Sequence, residues 1–283
     1  MNKFKTGRSV QMKQNLSLLI LVSLGLILGG CDSTEQKNKT ENTEEQNSNQ
    51  QVNSDVLPFL NIQEKPAEIA LPFCEQANCI DIDIQSIETQ DKWLNTWISK
   101  NQAKVIQDQI DLNQDMTLQQ AVNAYVKQSD IWQDEFKANK PFELGMYTRV
   151  AKQRNQYLLL QLGVDTKQRN LNVKERYYFF VADRRQNKTV KILDIINPKK
   201  QVKMNGIVQK AYGDWLKKQE ADVRKQAPKS LKWGQADWFF DHEGIGLHFR
   251  TNEIAKEAQQ LDIYLTKAQT QQVLKPEIYQ NMF

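Results

Sequence analysis

Apolar and polar side chains alternate along "CIDIDIQSI", with Ile80, Ile82 and Ile84 on one side and Asp81 and Asp83 on the other. A period of two predicts a strand with one wet face. The period then lengthens. In "DKWLNTWISKNQAKVIQDQI", Leu94, Trp97, Ile98 and Val105 recur at helical spacing. Thr117 with Gln120 forms a capping-box signature ahead of a second helix bearing Leu118, Ala121, Val122 and Tyr125. Three strands are expected next, at "FELGMYTRVA", "YLLLQLGVD" and "RYYFFVAD", and the "KQRNQ" between the first two suits a hairpin. "TVKILDII" reads as a further strand ending before Pro198, followed by a helix over about 200–222 with Met204, Ile207, Val208, Ala211 and Trp215 on one face. "ADWFFDHEGIGLHFR" reads as a strand pair turning near Glu243-Gly244, and "QLDIYLTKAQ" closes the pattern. Strands and helices are segregated rather than strictly alternating. The expected class is α+β, a single domain with a mostly antiparallel sheet and packed helices.

The N-terminal pattern is of another kind. Residues 1–15 carry Lys3, Lys5, Arg8 and Lys13 and no acid, and Leu16 to Leu28 is apolar apart from Ser17, Ser23 and Gly25. A basic start, a short apolar run and small residues at its exit are the parts of an export signal. The run falls well short of the roughly 20 residues that span a bilayer. Leu28-Gly29-Gly30-Cys31 resembles a lipobox, which makes residues 1–30 a lipoprotein signal peptide and Cys31 the lipidated residue. Met12 is a second candidate start, and the choice between it and Met1 stays open, as does the choice of inner or outer membrane. Residues 32–55 contain one apolar residue, Val52, and six acids against two lysines. Such a stretch cannot bury enough surface to offset its ordering entropy. It reads as a tether with a reach of about 25–30 Å, leaving 56–283 as the domain.

Charge changes meaning once the signal is removed. The chain holds 38 Lys+Arg and 34 Asp+Glu, a net +4. The signal takes away four basic residues and no acid, leaving 34 against 34. The basic pI of about 8.7 belongs to the discarded segment, and a nucleic-acid partner is not expected.

The order of elements carries a resemblance. A strand leading into a Trp-containing helix, a central meander, a long helix and the closing "WFFDHEGIGLHFRTNEIA" are similar to the RsiV-like domain. That domain occurs in the extracellular part of an anti-sigma factor that senses lysozyme, and beside some peptidoglycan deacetylases. Phe240, Glu243-Gly244-Ile245, Leu247, Phe249 and Asn252-Glu253-Ile254-Ala255 match the family's closing stretch, and "VKILDII" resembles its strand before the long helix. The resemblance covers roughly 60–275 and implies lysozyme or cell-wall glycan as ligand. The family's "GGAH" turn is replaced within "GVDTKQRNLNVKERYYFF", and the "PY" of its EIA element is "TN" here, so ligand contacts there do not carry over. Processing at Cys31 would also remove everything before the apolar run, so an anti-sigma role is not expected.

Candidate chemistry is sparse. Cys74 and Cys79 in "LPFCEQANCI" favour a disulfide in an exported chain. A metal pair, which would need further ligands, and free thiols are the alternatives. His242 and His248 are the chain's two histidines, and "DHEGIGLH" with Asp241 and Glu243 reads as a solvated hairpin tip rather than a metal site. No Ser occupies a G-x-S-x-G elbow, no Gly-rich phosphate loop is present, and nothing selects pairs such as Asp134/Glu135 as a glycosidase dyad. No catalytic residue, metal or cofactor is therefore expected. Trp97 and Trp215 lie on apolar helical faces and read as core; Trp93, Trp132 and Trp233 lie among polar neighbours and are the candidate ligand-binding residues. The basic runs "KQRNQ" and "DRRQNK" read as solvated hairpin tips. The expected function is a lipid-anchored periplasmic module that binds an envelope glycan or protein. A lysozyme-binding lipoprotein and a peptidoglycan-modifying enzyme are the rival readings.

Overall fold

The alternation along residues 82–88 is realised as a strand whose Ile82, Ile84 and Ile87 are buried while Asp83 and Gln85 face water. The computed structural model describes residues 57, 59–74, 79–165 and 176–283; Cys31, the lipobox and the tether lie outside the described residues. Strands β1 (Gln63–Pro66), β2 (Ile82–Glu88), β3 (Leu144–Arg154), β4 (Tyr157–Asp165), β5 (Arg176–Asp183) and β6 (Lys188–Thr189) form one sheet in that order. Every neighbouring pair is antiparallel except β2–β3. A parallel pair needs a long crossover, and helices α1 (Lys92–Asp108) and α2 (Leu118–Glu135) provide it.

Both helices begin where side-chain chemistry fixes their first turn. Asp91 accepts from the Leu94 N–H, and Thr117 and Gln120 close the expected capping box. Their apolar faces cover one side of the sheet, where Leu94, Ile98, Ile106, Val122 and Tyr125 meet Leu144, Met146, Leu158, Leu160 and Leu162. Gln102 secures this contact by donating to Ser86 Oγ at 2.8 Å and Thr148 Oγ1 at 2.9 Å, which satisfies a buried amide.

On the other side Tyr157, Leu159 and Val181 enter a second core. Because β4 is buried on both faces, "YLLLQLGV" reads as a nearly continuous apolar run. The second core is closed by α3 (Ile192–Ile195), α4 (Gln201–Leu216), which α5 (Ala221–Gln226) follows, and a three-stranded antiparallel sheet of β7 (Asp237–Phe240), β8 (Ile245–Phe249) and β9 (Leu261–Tyr264). Helices α6 (Lys267–Val273) and α7 (Pro276–Met282) follow. The fold is a single α+β domain with mostly antiparallel sheets, within the compact unit Val52–Phe283.

Two expected elements differ. "TVKILDII" is not one strand: β6 ends at Thr189 and α3 follows. The Asp194 carboxylate accepts from the Lys191 N–H at 2.8 Å, and one helical turn places Ile192, Ile195 and Ile196 together in the second core. Tertiary burial outweighs the strand preference of β-branched residues here. The long helix also stops at Leu216 rather than near 222, and Glu220 opens α5 instead.

Candidate functional site

Strand alternation sends Tyr147, Arg149, Gln161, Gly163, Tyr177 and Phe179 to the sheet face opposite α1 and α2. Register arranges them in two rows, Tyr147–Gly163–Tyr177 and Arg149–Gln161–Phe179. Gly163 is there because of a close approach. A Cβ on it would stand 2.2 Å from Cε1 of Tyr147, so the phenol ring lies over the glycine. In the second row Arg149 Nε and Nη2 both donate to Gln161 Oε1, at 2.9 and 2.6 Å. Gln161 is buried and Arg149 exposed. The guanidinium is thus held by a neutral amide, and the ion pairs among the described residues involve other groups.

The aromatic surface continues onto the second sheet. Phe179 lies 5.1 Å from Phe239, and Phe239 lies 5.1 Å from Tyr264, centroid to centroid. The arrangement at Gly163 recurs, since a Cβ on Gly246 would stand 2.1 Å from Phe239 Cζ. Tyr264 is 64% exposed, while Tyr147, Tyr177, Phe179 and Phe239 are half-buried. The five rings lie in one band across both sheets, in ring contact at Phe179–Phe239–Tyr264, with Phe179 and Phe239 also packed against the second core.

Beside the band runs a polar seam. Asp237 Oδ2 accepts from the Phe179 N–H at 3.2 Å and from Arg250 Nη1 at 2.6 Å. The Arg250 guanidinium lies 4.3 Å over the Tyr178 ring, a cation–π contact. Tyr178 donates its hydroxyl proton to Asp108 Oδ2 at 2.5 Å and accepts from Gln109 Nε2 at 2.8 Å. Burial, with the nearby Asp108 charge, pushes that hydroxyl up to about 12. Burial also raises the Glu253 carboxyl against the pull of Arg250. His248 Nδ1 meets Asp262 Oδ1 at 2.6 Å, and its Nε2 is buried without a hydrogen-bond partner. The Phe179 ring stands edge-on to this imidazole at 5.1 Å. An Asp–His pair can serve as a base; among the described residues no hydroxyl or thiol is hydrogen-bonded to this one.

The sequence candidates are scattered. Cys74 and Cys79 are joined in a disulfide. Trp93 and Trp132 are half-buried and pack against the first core, Trp93 on Trp97 and Trp132 on Tyr125 and Phe142. Trp233 is not a surface residue. It sits on a single 3-10 turn that inserts its ring into the second core, while Lys232 and Gln235 beside it take the solvent. His248 is likewise no hairpin-tip residue, because β8 is the middle strand of its sheet and is buried throughout; His242 is exposed. In "DRRQNK", Arg184 is buried and pairs with Asp91 at 3.1 Å, tying the β5–β6 turn to the start of α1. Among the described residues no group of three or more His, Cys, Asp or Glu could hold a metal, and no helix is long and apolar enough to cross a membrane. The signal of the aromatic band in the sequence lies in tyrosine, phenylalanine and glycine rather than in tryptophan. Tyr177 and Phe179 stand two apart in a strand, and a strand glycine such as Gly163 marks a close approach.

No family model matches the chain, and no curated protein matches it. Among solved structures the fold is similar to a DUF3298 family protein from Pseudomonas aeruginosa PAO1, with a TM-score of 0.56 and 15% identity over 80% of this chain and 98% of that one. It is also similar to a member of the DUF3298 family from Bacteroides fragilis, with a TM-score of 0.51 and 11% identity over 79% and 97%. At these identities the likeness establishes the fold alone.

Proposed function

We propose that this protein is a lipid-anchored lipoprotein on the periplasmic face of a bacterial membrane, with an RsiV-like domain that binds an envelope component without catalysis. The observation that carries the binding role is the band of partly buried rings from Tyr147 to Phe239, ending at the exposed Tyr264, beside an exposed Arg149 held by Gln161. Aromatic side chains are enriched at recognition surfaces, and exposed apolar patches often mark them. The lipobox supports the anchoring, and the Cys74–Cys79 disulfide agrees with an oxidising compartment. The test is capture from solubilised membranes with tagged full-length protein. Tyr147→Ala and Tyr264→Ala should each lose the captured component while the variants remain folded. Retention by both would reject the band as the binding face.

Lysozyme is the second reading, favoured by the resemblance and by Asp81 and Asp83, which are both exposed. Charge opposes it. The whole chain is +4; removing the signal (+4) and the tether (−4) leaves 56–283 at +4. Complementary potentials speed association, and a strongly basic partner meets none here outside that acidic strand. Titration with hen lysozyme at low salt decides: micromolar or tighter binding would place lysozyme first. A peptidoglycan-modifying role would instead appear as a muropeptide change that depends on His242 or His248.

A further inference from the structure

We infer that the exposed face of α4, with the segment 228–232 beside it, is a docking surface for an anionic phospholipid bilayer. This inference rests on the lipid-anchored reading above and adds a second contact with the same membrane. Its first ground is where the charge sits. Residues 198–232 hold ten Lys and Arg against three acids, a net +7 in a domain that totals +4, so the rest of 56–283 sums to −3. All ten basic side chains are exposed. Nine of them are lysine, a hydrated point charge that suits a field of mobile headgroups, whereas arginine suits a fixed bidentate partner.

The second ground is how α4 arranges the charge. Met204, Val208 and Tyr212 bury one side of the helix. Lys203, Lys210 and Lys217 stand on the other side, seven residues apart, with Lys217 just past the last helical residue and still in helical conformation. Seven residues complete two turns to within about 20°, so the three follow one line about 21 Å long. Asp214 pairs with Lys210 at 3.6 Å and with Lys217 at 2.8 Å. Lys199, Lys200 and Lys203 make no ion pair among the described residues. Gly206 and Gly213, again seven apart, run alongside, and a Cβ on either would meet nothing within 4 Å. Glycine is a poor helix former, and no packing inside the domain asks for these two. Their missing side chains instead let a surface approach the helix closely. Val202, 87% exposed, begins the same line. Gln209 adds a second row of charge. Its amide donates to the Leu231 carbonyl at 2.9 Å and accepts from the Leu231 N–H at 3.0 Å, which places Lys229 and Lys232 beside the helix.

The third ground separates a bilayer from an acidic protein. Protein interfaces form around an apolar, aromatic core in which lysine is depleted. Within 198–232 the exposed large apolar side chain is Val202 alone, too little for such a core. Clustered basic side chains on one helix are what anionic lipid attracts, and a single apolar side chain among them can enter the headgroup boundary. None of the five rings of the aromatic band belongs to residues 198–232, so docking makes no use of them.

The experiment is lysine footprinting of the full-length chain, extracted in detergent and added to preformed vesicles. One set is phosphatidylcholine alone and the other equal parts phosphatidylcholine and phosphatidylglycerol. A water-soluble acetylating reagent is then applied and the modified lysines are read by mass spectrometry. Lys203, Lys210 and Lys229 should react at least fivefold more slowly on the anionic vesicles, and the exposed Lys137 and Lys188 should not change. High salt should erase the difference. Replacing the exposed pair, Lys203→Gln with Lys210→Gln, should remove the protection at Lys229 in a chain that stays folded. Equal rates on the two vesicles, or protection at Lys229 that survives the double substitution, would overturn the inference. Protection by soluble polyglutamate equal to that by anionic vesicles would make an acidic protein the occupant and overturn the bilayer. Flotation separates the two readings. A chain that floats with neutral vesicles yet shows no footprint keeps its anchor and loses this docking face. A chain that does not float with them loses the anchor, and the footprint on anionic vesicles still judges the face.

Discussion

Tyr178 joins α1 to the second sheet through one side chain, with its hydroxyl on Asp108 and Gln109 and its ring under Arg250. Tyr178→Phe keeps the ring and removes the hydroxyl, leaving Gln109 short of a partner. It should cost on the order of 1–3 kcal/mol at neutral pH, measured by urea unfolding. Its pH signature is specific. The folded protein holds this proton more tightly than the unfolded chain, so the associated stability is complete below the ordinary value of 10.0 and is lost as pH rises through about 12. The variant should therefore show a shallower fall in stability across that window, and an unchanged slope would remove Tyr178 from the account. Gly163→Ala tests the packing of Tyr147 over the strand. Its methyl would meet the Tyr147 ring at 2.2 Å, and displacing the ring should cost about 1–3 kcal/mol, measured by urea unfolding. At this scale the sequence was legible where chemistry is local, as with Thr117 and Gln120. It misled where polar neighbours hide a buried ring, as at Trp233, or where a strand's place in its sheet decides burial, as at His248.

Elements were legible in proportion to how far their own pattern determined them. The alternation of β2, the helical stripe of α1 and the β3–β4 hairpin all stand where expected, the hairpin turning at Asn155 with φ 49°, a left-handed position Asn tolerates. What "TVKILDII" becomes is decided elsewhere, because Lys275 N–H bonds to Ile195 carbonyl at 2.9 Å and Ile196 bridges Leu274, some eighty residues away. No window around residue 192 contains that information. The capping box at α2 provides a direct measurement. Thr117→Ala removes the oxygen that accepts from the Gln120 N–H and should cost about 1 kcal/mol. Hydrogen exchange should show the loosening confined to the first turn of α2. The disulfide acts before β2. Closing so short a loop stabilises by about 2–3 kcal/mol in the chain-entropy model, so Cys74→Ser should lower the melting temperature yet leave a folded protein, and complete unfolding at 25 °C would contradict that ledger.

At the scale of the whole molecule, two cores share one sheet, and β4 belongs to both, with Leu158, Leu160 and Leu162 on the first and Tyr157 and Leu159 on the second. The α+β class was readable because segregated strands and helices admit few other layerings. The meeting of the sheets was not, because Asp237, Arg250 and Tyr178 belong to three separate elements. The placement of the molecule in the cell rests on Leu28-Gly29-Gly30-Cys31 and follows as a proposal from sequence alone. Its consequence is sharp. A single acyl chain gives marginal, reversible membrane binding, whereas several chains on one residue hold a protein durably. Cys31→Ala removes the thiol that would accept the lipid, so the protein should appear in the soluble periplasmic fraction or persist as an uncleaved precursor. Globomycin, which blocks lipoprotein signal cleavage, should make the parent chain accumulate at the precursor mass. Membrane association and processing that ignore both the substitution and the drug would show that Cys31 is no anchor. The binding role proposed for the aromatic band would then have to operate in a freely diffusing protein.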